Sequence, residues 1–358
     1  MIYQTESVKL WKHPMIWGLL LMFFALNAWS VFSELGWYGK DAWQEMHQRS
    51  RDGTWDAEVV GYADELYEDL NMNGIKEMKE LHSNYEPKGA FRDFVDECYR
   101  FFDGRVKEIT ASGQDSGNYY PGASIEIHNY LYGTLLCNVW LEMAVLVICV
   151  TLFLMDYERI FKTSDLVYSS VKGRRLQLGK MCLGLFYGMA AGILLLVATL
   201  LLFFWVVPME GLWDVPMTAA LVANARVVWL YPFITYTSMT VKEYLLASLL
   251  LGTVMALGVG ILAGVVQLLM RNSYFSITTL LVLLLGGYVA SGVSTGTFVD
   301  VFCRMNPSAL WSRCSTWFME WDLVMCFQGN EVLSLILQYL VYGVGLVLGI
   351  HLWRKADL

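Results

Sequence analysis

The stretch PMIWGLLLMFFALNAWSVF, residues 14–32, decides the fold. It is an apolar run of roughly the 20 residues that a helix needs to cross a hydrocarbon core of about 30 Å. Within that core a single segment can satisfy its backbone N–H and C=O groups only by coiling into a helix. No small-residue cleavage site of the A-x-A kind follows before Glu34, so the run reads as a retained span and not as a signal peptide. Five more runs of span length follow. The chain is therefore expected to be an all-α integral membrane protein of six transmembrane helices, at 14–33, 131–155, 181–207, 244–270, 274–299 and 332–353. Composition agrees, with 56% hydrophobic and 16% charged residues, against about 25% charged in a soluble domain.

Orientation follows from the basic residues. Lys9 and Lys12 precede the first span, and Arg159, Lys162, Lys172, Arg174, Arg175 and Lys180 lie between the second and third. Arg271 separates the fourth from the fifth, and Arg354 and Lys355 follow the sixth. These are alternate sides of a six-span chain, so the positive-inside rule predicts two cytoplasmic termini in the plasma membrane. Residues 1–13, 156–180 and 354–358 then face the cytoplasm, and 34–130, 208–243 and 300–331 face outward. Between Glu34 and His128 there are 20 Asp and Glu against 10 Lys and Arg, a net of −10 where the whole chain carries −8. A segment of that sign repels phosphates, which excludes nucleic acid as its partner.

The outward insertion is expected to be helical. Ala63, Leu66 and Leu70 recur at helical spacing after Val59, and Phe94, Val95, Cys98, Phe101 and Phe102 do so after Phe91. These helices pack on each other or on the mouth of the bundle. Between them Asp69-x-Asn71-x-Asn73-Gly74-x5-Glu80 fits the calcium-loop pattern, which sets carboxylate and amide oxygens around a hard cation. Lys76 stands at a loop position where a hydrophobic residue normally pairs with a sister loop, no sister loop is visible, and the plainer reading is an Asn-Gly turn joining two acidic helices.

The segment DYERIFKTSDLVYSSVKGRRLQLGK, residues 156–180, is the most specific for function. An acidic span end is followed by an amphipathic stretch with Ile160, Phe161, Leu166 and Val167, then by a basic Gly-Arg-Arg element that leads into the next span. Read alone, it is a positive-inside loop anchored at the interface. It also resembles the first cytoplasmic loop of the type-2 membrane-spanning permeases of ABC exporters, where Glu158, Thr163, Leu166, Ser169, Ser170, Gly173, Arg174 and Lys180 fall in the family's order. The resemblance implies a coupling helix that docks on a separate ATPase subunit, with Glu158, Arg159, Thr163, Leu166, Val167 and Arg174 as the docking residues. It further implies a second permease copy or paralogue as partner, and ATP and magnesium held in the ATPase subunit with no cofactor on this chain.

Two other stretches extend the resemblance. ESVKLWKH, residues 6–13, reads as an interfacial segment with Val8 and Trp11 toward lipid, and it looks like the family's elbow helix. Asn306-Pro307-Ser308-Ala309-Leu310 resembles the Pro-Ser turn before outer re-entrant helices, and GIHLWRKADL at 349–358 resembles the family's basic-then-acidic close. No ATPase motif is encoded. The nearest approach, Gly173-x5-Gly179-Lys180-Met181, has one residue too many and lacks the Ser or Thr that holds magnesium.

Inside the spans, Glu142 is the residue to explain, with Asn138 one turn earlier. A carboxyl at that depth costs about 2.5–3.5 kcal/mol and should face the bundle interior or a water path. Two readings stay open for Asn138 and Glu142: a translocation path or gate, or a hydrogen-bonded clamp. Gly258, Gly260, Gly264, Gly286, Gly287 and Gly292 are expected at close helix contacts. Trp205, Trp213, Trp229, Trp311, Trp317 and Trp321 read as an aromatic belt, with a lateral exit for an amphipathic substrate as the sharper alternative. A Cys303–Cys314 bridge is open in an oxidising envelope. His13, His47, His82, His128 and His351 form no zinc spacing. The competing class is a receptor, sensor or immunity protein whose acidic outer domain binds a ligand.

Overall fold

The computed structural model describes residue 10 and residues 13–35, 86–114, 127–163, 173–207, 209, 213–218, 234–320 and 322–355. Among these the chain is all-helical, and extended pairing is confined to two isolated bridges, Pro216 with Thr240 and Thr235 with Met319. Six helices are long and apolar enough to cross a membrane. They are α1 (Pro14–Leu35), α3 (Cys137–Ile160, entered through a π-helical stretch Asn129–Leu136), α4 (Gly173–Val206), α5 (Val241–Met270), α6 (Ser273–Ser291) and α9 (Asn330–Lys355). The insertion contributes α2 (Ala90–Ser112), and two short helices, α7 (Phe298–Arg304) and α8 (Pro307–Ser312), lie between α6 and α9.

The spans depart from the expected limits where local hydrogen bonding overrides hydropathy. α6 stops at Ser291, short of residue 299, because Asp300 gathers the next turn: its carboxylate accepts from Thr295 N at 2.9 Å, Gly296 N at 2.9 Å and Thr295 Oγ1 at 2.7 Å. α4 begins at Gly173, eight residues before the apolar run, so part of the expected loop is helix. α5 starts with a capping box in which Thr240 and Glu243 satisfy each other's backbone N–H. Asn272 caps α6, Thr297 caps α7, and Asn306 caps α8 with Pro307 in its first turn.

The most extensive contact joins α3 and α4, and it is built on glycine. A Cβ at Gly184 would lie 2.6 Å from Thr151 Cα, and one at Gly188 would lie 2.7 Å from Val147 Cα. With Gly192 facing Met143, these residues form a small-xxx-small stripe that brings two antiparallel backbones together. α5 runs parallel to α3, with Gly252 against Trp140 and Gly260 against Val147. The expected close contacts at Gly258, Gly260 and Gly264 are present, as is one at Gly287, where a Cβ would meet Asn306 Oδ1 at 2.8 Å. Gly286 faces open space.

α2 packs on the bundle. Its buried face, Phe91, Val95, Cys98, Tyr99, Phe102, Val106 and Ile109, joins the same core as α3, α5 and the 317–326 segment. Phe101, expected on that face, is exposed. The segment from Val59 to Leu70, the calcium-type pattern at Asp69, Asn71, Asn73 and Glu80, and most of the N-terminal interfacial segment lie outside the described residues. Leu10 is described, and it is buried against Val150, Phe153 and Leu154 of α3.

Candidate functional site

Helix α3 ends in a turn whose chemistry explains the order of its residues. Thr163 N donates to Glu158 O at 2.7 Å and Lys162 N donates to Arg159 O at 3.1 Å. This is the Schellman pattern. Lys162 takes the left-handed position, φ 56°, that glycine usually fills. A non-glycine residue there costs about 1–2 kcal/mol, so the turn is held by its surroundings.

Those surroundings are three ties from the end of α3 to other spans. The Glu158 carboxylate pairs with Lys180 of α4, and both side chains are almost fully buried, at 3% and 1% exposure. Gln177 Nε2 of α4 donates to Met155 O at 2.8 Å. Asp156 Oδ2 accepts from Ser273 N, the first residue of α6, at 3.2 Å, while Arg159 approaches Asp156 from the exposed side at 3.8 Å. The junction between the second and third spans is thus fastened to α4 and α6 together. At the same end Arg271 lies over the Trp353 ring at 5.9 Å, linking the α5–α6 turn to α9.

This geometry corrects one expected docking residue. Glu158 is turned inward and neutralised by Lys180, so it organises the junction instead of presenting charge to a partner. Arg159 and Thr163, also among the expected docking residues, are exposed. Leu166 and Val167 lie outside the described residues, and the Arg174 side chain is not described. Gly173, Gly179 and Lys180 are all on α4, and Lys180 is occupied by Glu158 rather than free for a phosphate.

A second polar cluster lies within the spans. Asn27 of α1 donates through Nδ2 to Glu142 Oε2 at 2.7 Å and to Thr199 Oγ1 of α4 at 3.3 Å. All three side chains are buried. Asn138, expected beside Glu142, is exposed, and Asn27 takes its place as the partner. The signal was present in the sequence, since an amide in the first apolar run needs a partner within the membrane. The arrangement clamps α1, α3 and α4 together.

The opposite face of α3 borders an open cleft of about 530 Å³ between α3, α5, α6 and α8, lined by residues that include Trp140, Ala144, Ile148, Val259, Leu284 and Trp311. Its walls are almost wholly apolar, and Glu142 is not among them. The mouth is shaped by α8 doubling back along α6. Asn306 Nδ2 donates to Gly287 O at 2.9 Å, Ser308 Oγ donates to Leu284 O at 2.8 Å, and Trp311 Nε1 reaches Cys137 O at 2.9 Å.

At the insertion end, the loops before α5 and α9 form a polar network that the sequence did not signal. Tyr99 Oη donates to Glu320 Oε1 at 3.1 Å, Arg304 pairs with Asp322, and Glu331 Oε1 accepts from Phe318 N at 2.7 Å. Arg105 of α2 donates to Thr235 O and to Gln114 Oε1, each at 3.1 Å. Burial lowers the Arg313 proton affinity, opposed by Asp322 and Glu331. Trp317, expected in an aromatic belt, is instead a core residue, with Nε1 donating to Leu310 O at 2.9 Å. Trp205 is exposed and fits the belt; Trp229 and Trp321 lie outside the described residues. Cys303 and Cys314 are not joined, and the Cys314 thiol donates to Tyr132 O at 3.2 Å.

No family model, curated protein or solved structure matches the chain. The class defined by the fold is a multi-pass membrane protein, with six span-length apolar helices among the described residues.

Proposed function

We propose that this chain is the membrane-spanning permease subunit of an ATP-driven ABC exporter, with cytoplasmic termini and an outward-facing acidic insertion. The supporting observation is the junction at the end of α3. A loop that receives work from a partner must be stiffly joined to more than one span, and this one is tied to α4 through Glu158 and Lys180 and to α6 through Asp156 and Ser273. ATP and magnesium belong to the partner ATPase, whose closure displaces the docked loop and moves the attached helices as a body. The apolar cleft between α3, α5, α6 and α8 is the path candidate in place of Asn138 and Glu142, and its lining suits an apolar or amphipathic substrate.

The test is recovery of an ATPase with the tagged full-length chain from native membranes, in wild type and in the Arg159→Glu, Arg174→Glu double variant. Reversal of the two expected docking charges should lower recovery about tenfold or more, equivalent to about 1.4 kcal/mol, with an unchanged thermal midpoint. Absence of an ATPase from the wild-type preparation would reject the exporter reading and favour a sensor.

A further inference from the structure

The apolar cleft between α3, α5, α6 and α8 has a closed floor and an open rim. Met255, Ala256 and Val259 of α5 form the buried floor, while Leu141 of α3 and Leu281, Leu285 and Tyr288 of α6 stand about half exposed at the rim. The rim runs on into Val282 and Val289 of α6, which are also exposed, so the cleft opens on a surface whose solvent in a bilayer is hydrocarbon. No charged side chain lines it. Water would find few partners there, since Ser308 Oγ and Trp311 Nε1 are committed to Leu284 O and Cys137 O. Left empty, the walls would forfeit their dispersion contacts.

Dimensions choose among the hydrocarbon occupants. The lining runs from Ile277 to Tyr288 along α6 and from Trp140 to Cys149 along α3, roughly 16 Å and 14 Å at about 1.5 Å per residue. One leaflet's share of a hydrocarbon core is about 15 Å. Spread over the longer of the two lengths, about 530 Å³ gives a mean section of roughly 33 Å². A helix about 10 Å across needs roughly 80 Å², so the cleft is too narrow for a span of a second copy. An extended hydrocarbon chain is slimmer than any helix and matches the length.

We propose that the cleft binds one acyl chain of a bilayer lipid, which enters sideways between α3 and α6 with its polar end toward Tyr288 and α8. The small side chains of Ala144 on α3 and Ala256 on α5 leave the width between the walls. The bonds from Asn306 to Gly287 and from Ser308 to Leu284 hold α8 against α6 before any ligand arrives, so little ordering is left for binding to do. Binding rests on the six spans alone. That a chain-bearing lipid is the class of substrate rests on the exporter reading, in which this cleft is the path.

The experiment places the full chain in phosphatidylcholine vesicles doped with a phosphatidylcholine whose acyl chain carries a diazirine, followed by illumination, digestion and mass spectrometry. Adducts should concentrate on Ala144, Ile148 and Leu284, above Val282 and Leu283 on the open face of α6. Ala144→Phe should abolish the adducts at Ile148 and Leu284 and leave those at Leu283, and the thermal midpoint, unchanged. Leu283→Phe, outside the lining, should leave the cleft adducts in place. If Ala144→Phe does not fold, Leu285→Trp at the exposed rim carries the same expectation. Adducts spread evenly over cleft and open face, or cleft adducts that persist in the filled variant, overturn the proposal and leave the exporter reading to the ATPase test. Concentrated adducts in a chain that recovers no ATPase uphold the lipid site and overturn its assignment as the substrate path.

Discussion

His128 lies at the entrance to the second span, with its ring 4.7 Å from that of Tyr132 and 5.7 Å from that of Tyr244. Nε2 is 2.7 Å from Ser315 O and donates to it. Burial pushes this imidazole down to about 4, opposed by the bond to Ser315. In the unfolded chain the same group takes a proton as pH falls through about 6.5, so folding loses stability between pH 6.5 and 4 and no further below that. The full effect is at most about 3 kcal/mol. Thermal midpoints in detergent should therefore fall more steeply across this window for wild type than for His128→Gln, whose amide keeps a donor for Ser315 without titrating. Equal slopes would show that His128 does not remain neutral in the folded state. The fate of Glu142 belongs to the same scale. Its need for a partner was legible, but the choice between Asn138 on its own helix and Asn27, 115 positions away, was not.

Among elements, the α3–α4 pair makes the sharpest demand. Gly184 and Gly188 place Cα atoms of α3 where their own side chains would stand, so a larger residue must push two backbones apart. Gly184→Ile or Gly188→Ile should each destabilise by about 1–3 kcal/mol, read as a lowered thermal midpoint. Gly286→Ala on α6, where nothing lies within 4 Å, is the control and should be neutral or slightly stabilising. Equal behaviour at all three positions would rule out close approach. The four-residue spacing of Gly184, Gly188 and Gly192 was visible in the sequence, but which helix it faces was not, because glycine carries no side chain that names a partner. The end of α6 was misread for a related reason. Hydropathy continues to residue 299, whereas the Asp300 carboxylate captures backbone donors at 295 and 296 and turns the chain sooner.

For the whole molecule, the junction that ties α3 to α4 and α6 governs whether the spans can move together. Lys180→Met leaves the Glu158 carboxylate buried without its cation, which should cost about 3–5 kcal/mol. Adding Glu158→Gln should recover most of that loss, since a buried ion pair contributes little net stability against neutral replacements. Hydrogen exchange should report the coupling, with faster exchange at residues 156–163 and at the start of α4 in the single variant and near-wild-type exchange in the double. Unchanged exchange in Lys180→Met would mean that the pair does not hold the junction. By itself the sequence determined six apolar helices and an amphipathic α2, because crossing a hydrocarbon core and covering a core with one helix face leave periodic, local signatures. Only the tertiary structure decided that Glu158 turns inward to Lys180 and that Glu142 meets Asn27. A polar side chain's need for a partner is written in its own chemistry, whereas the partner's identity depends on which distant segments the fold brings within hydrogen-bonding reach.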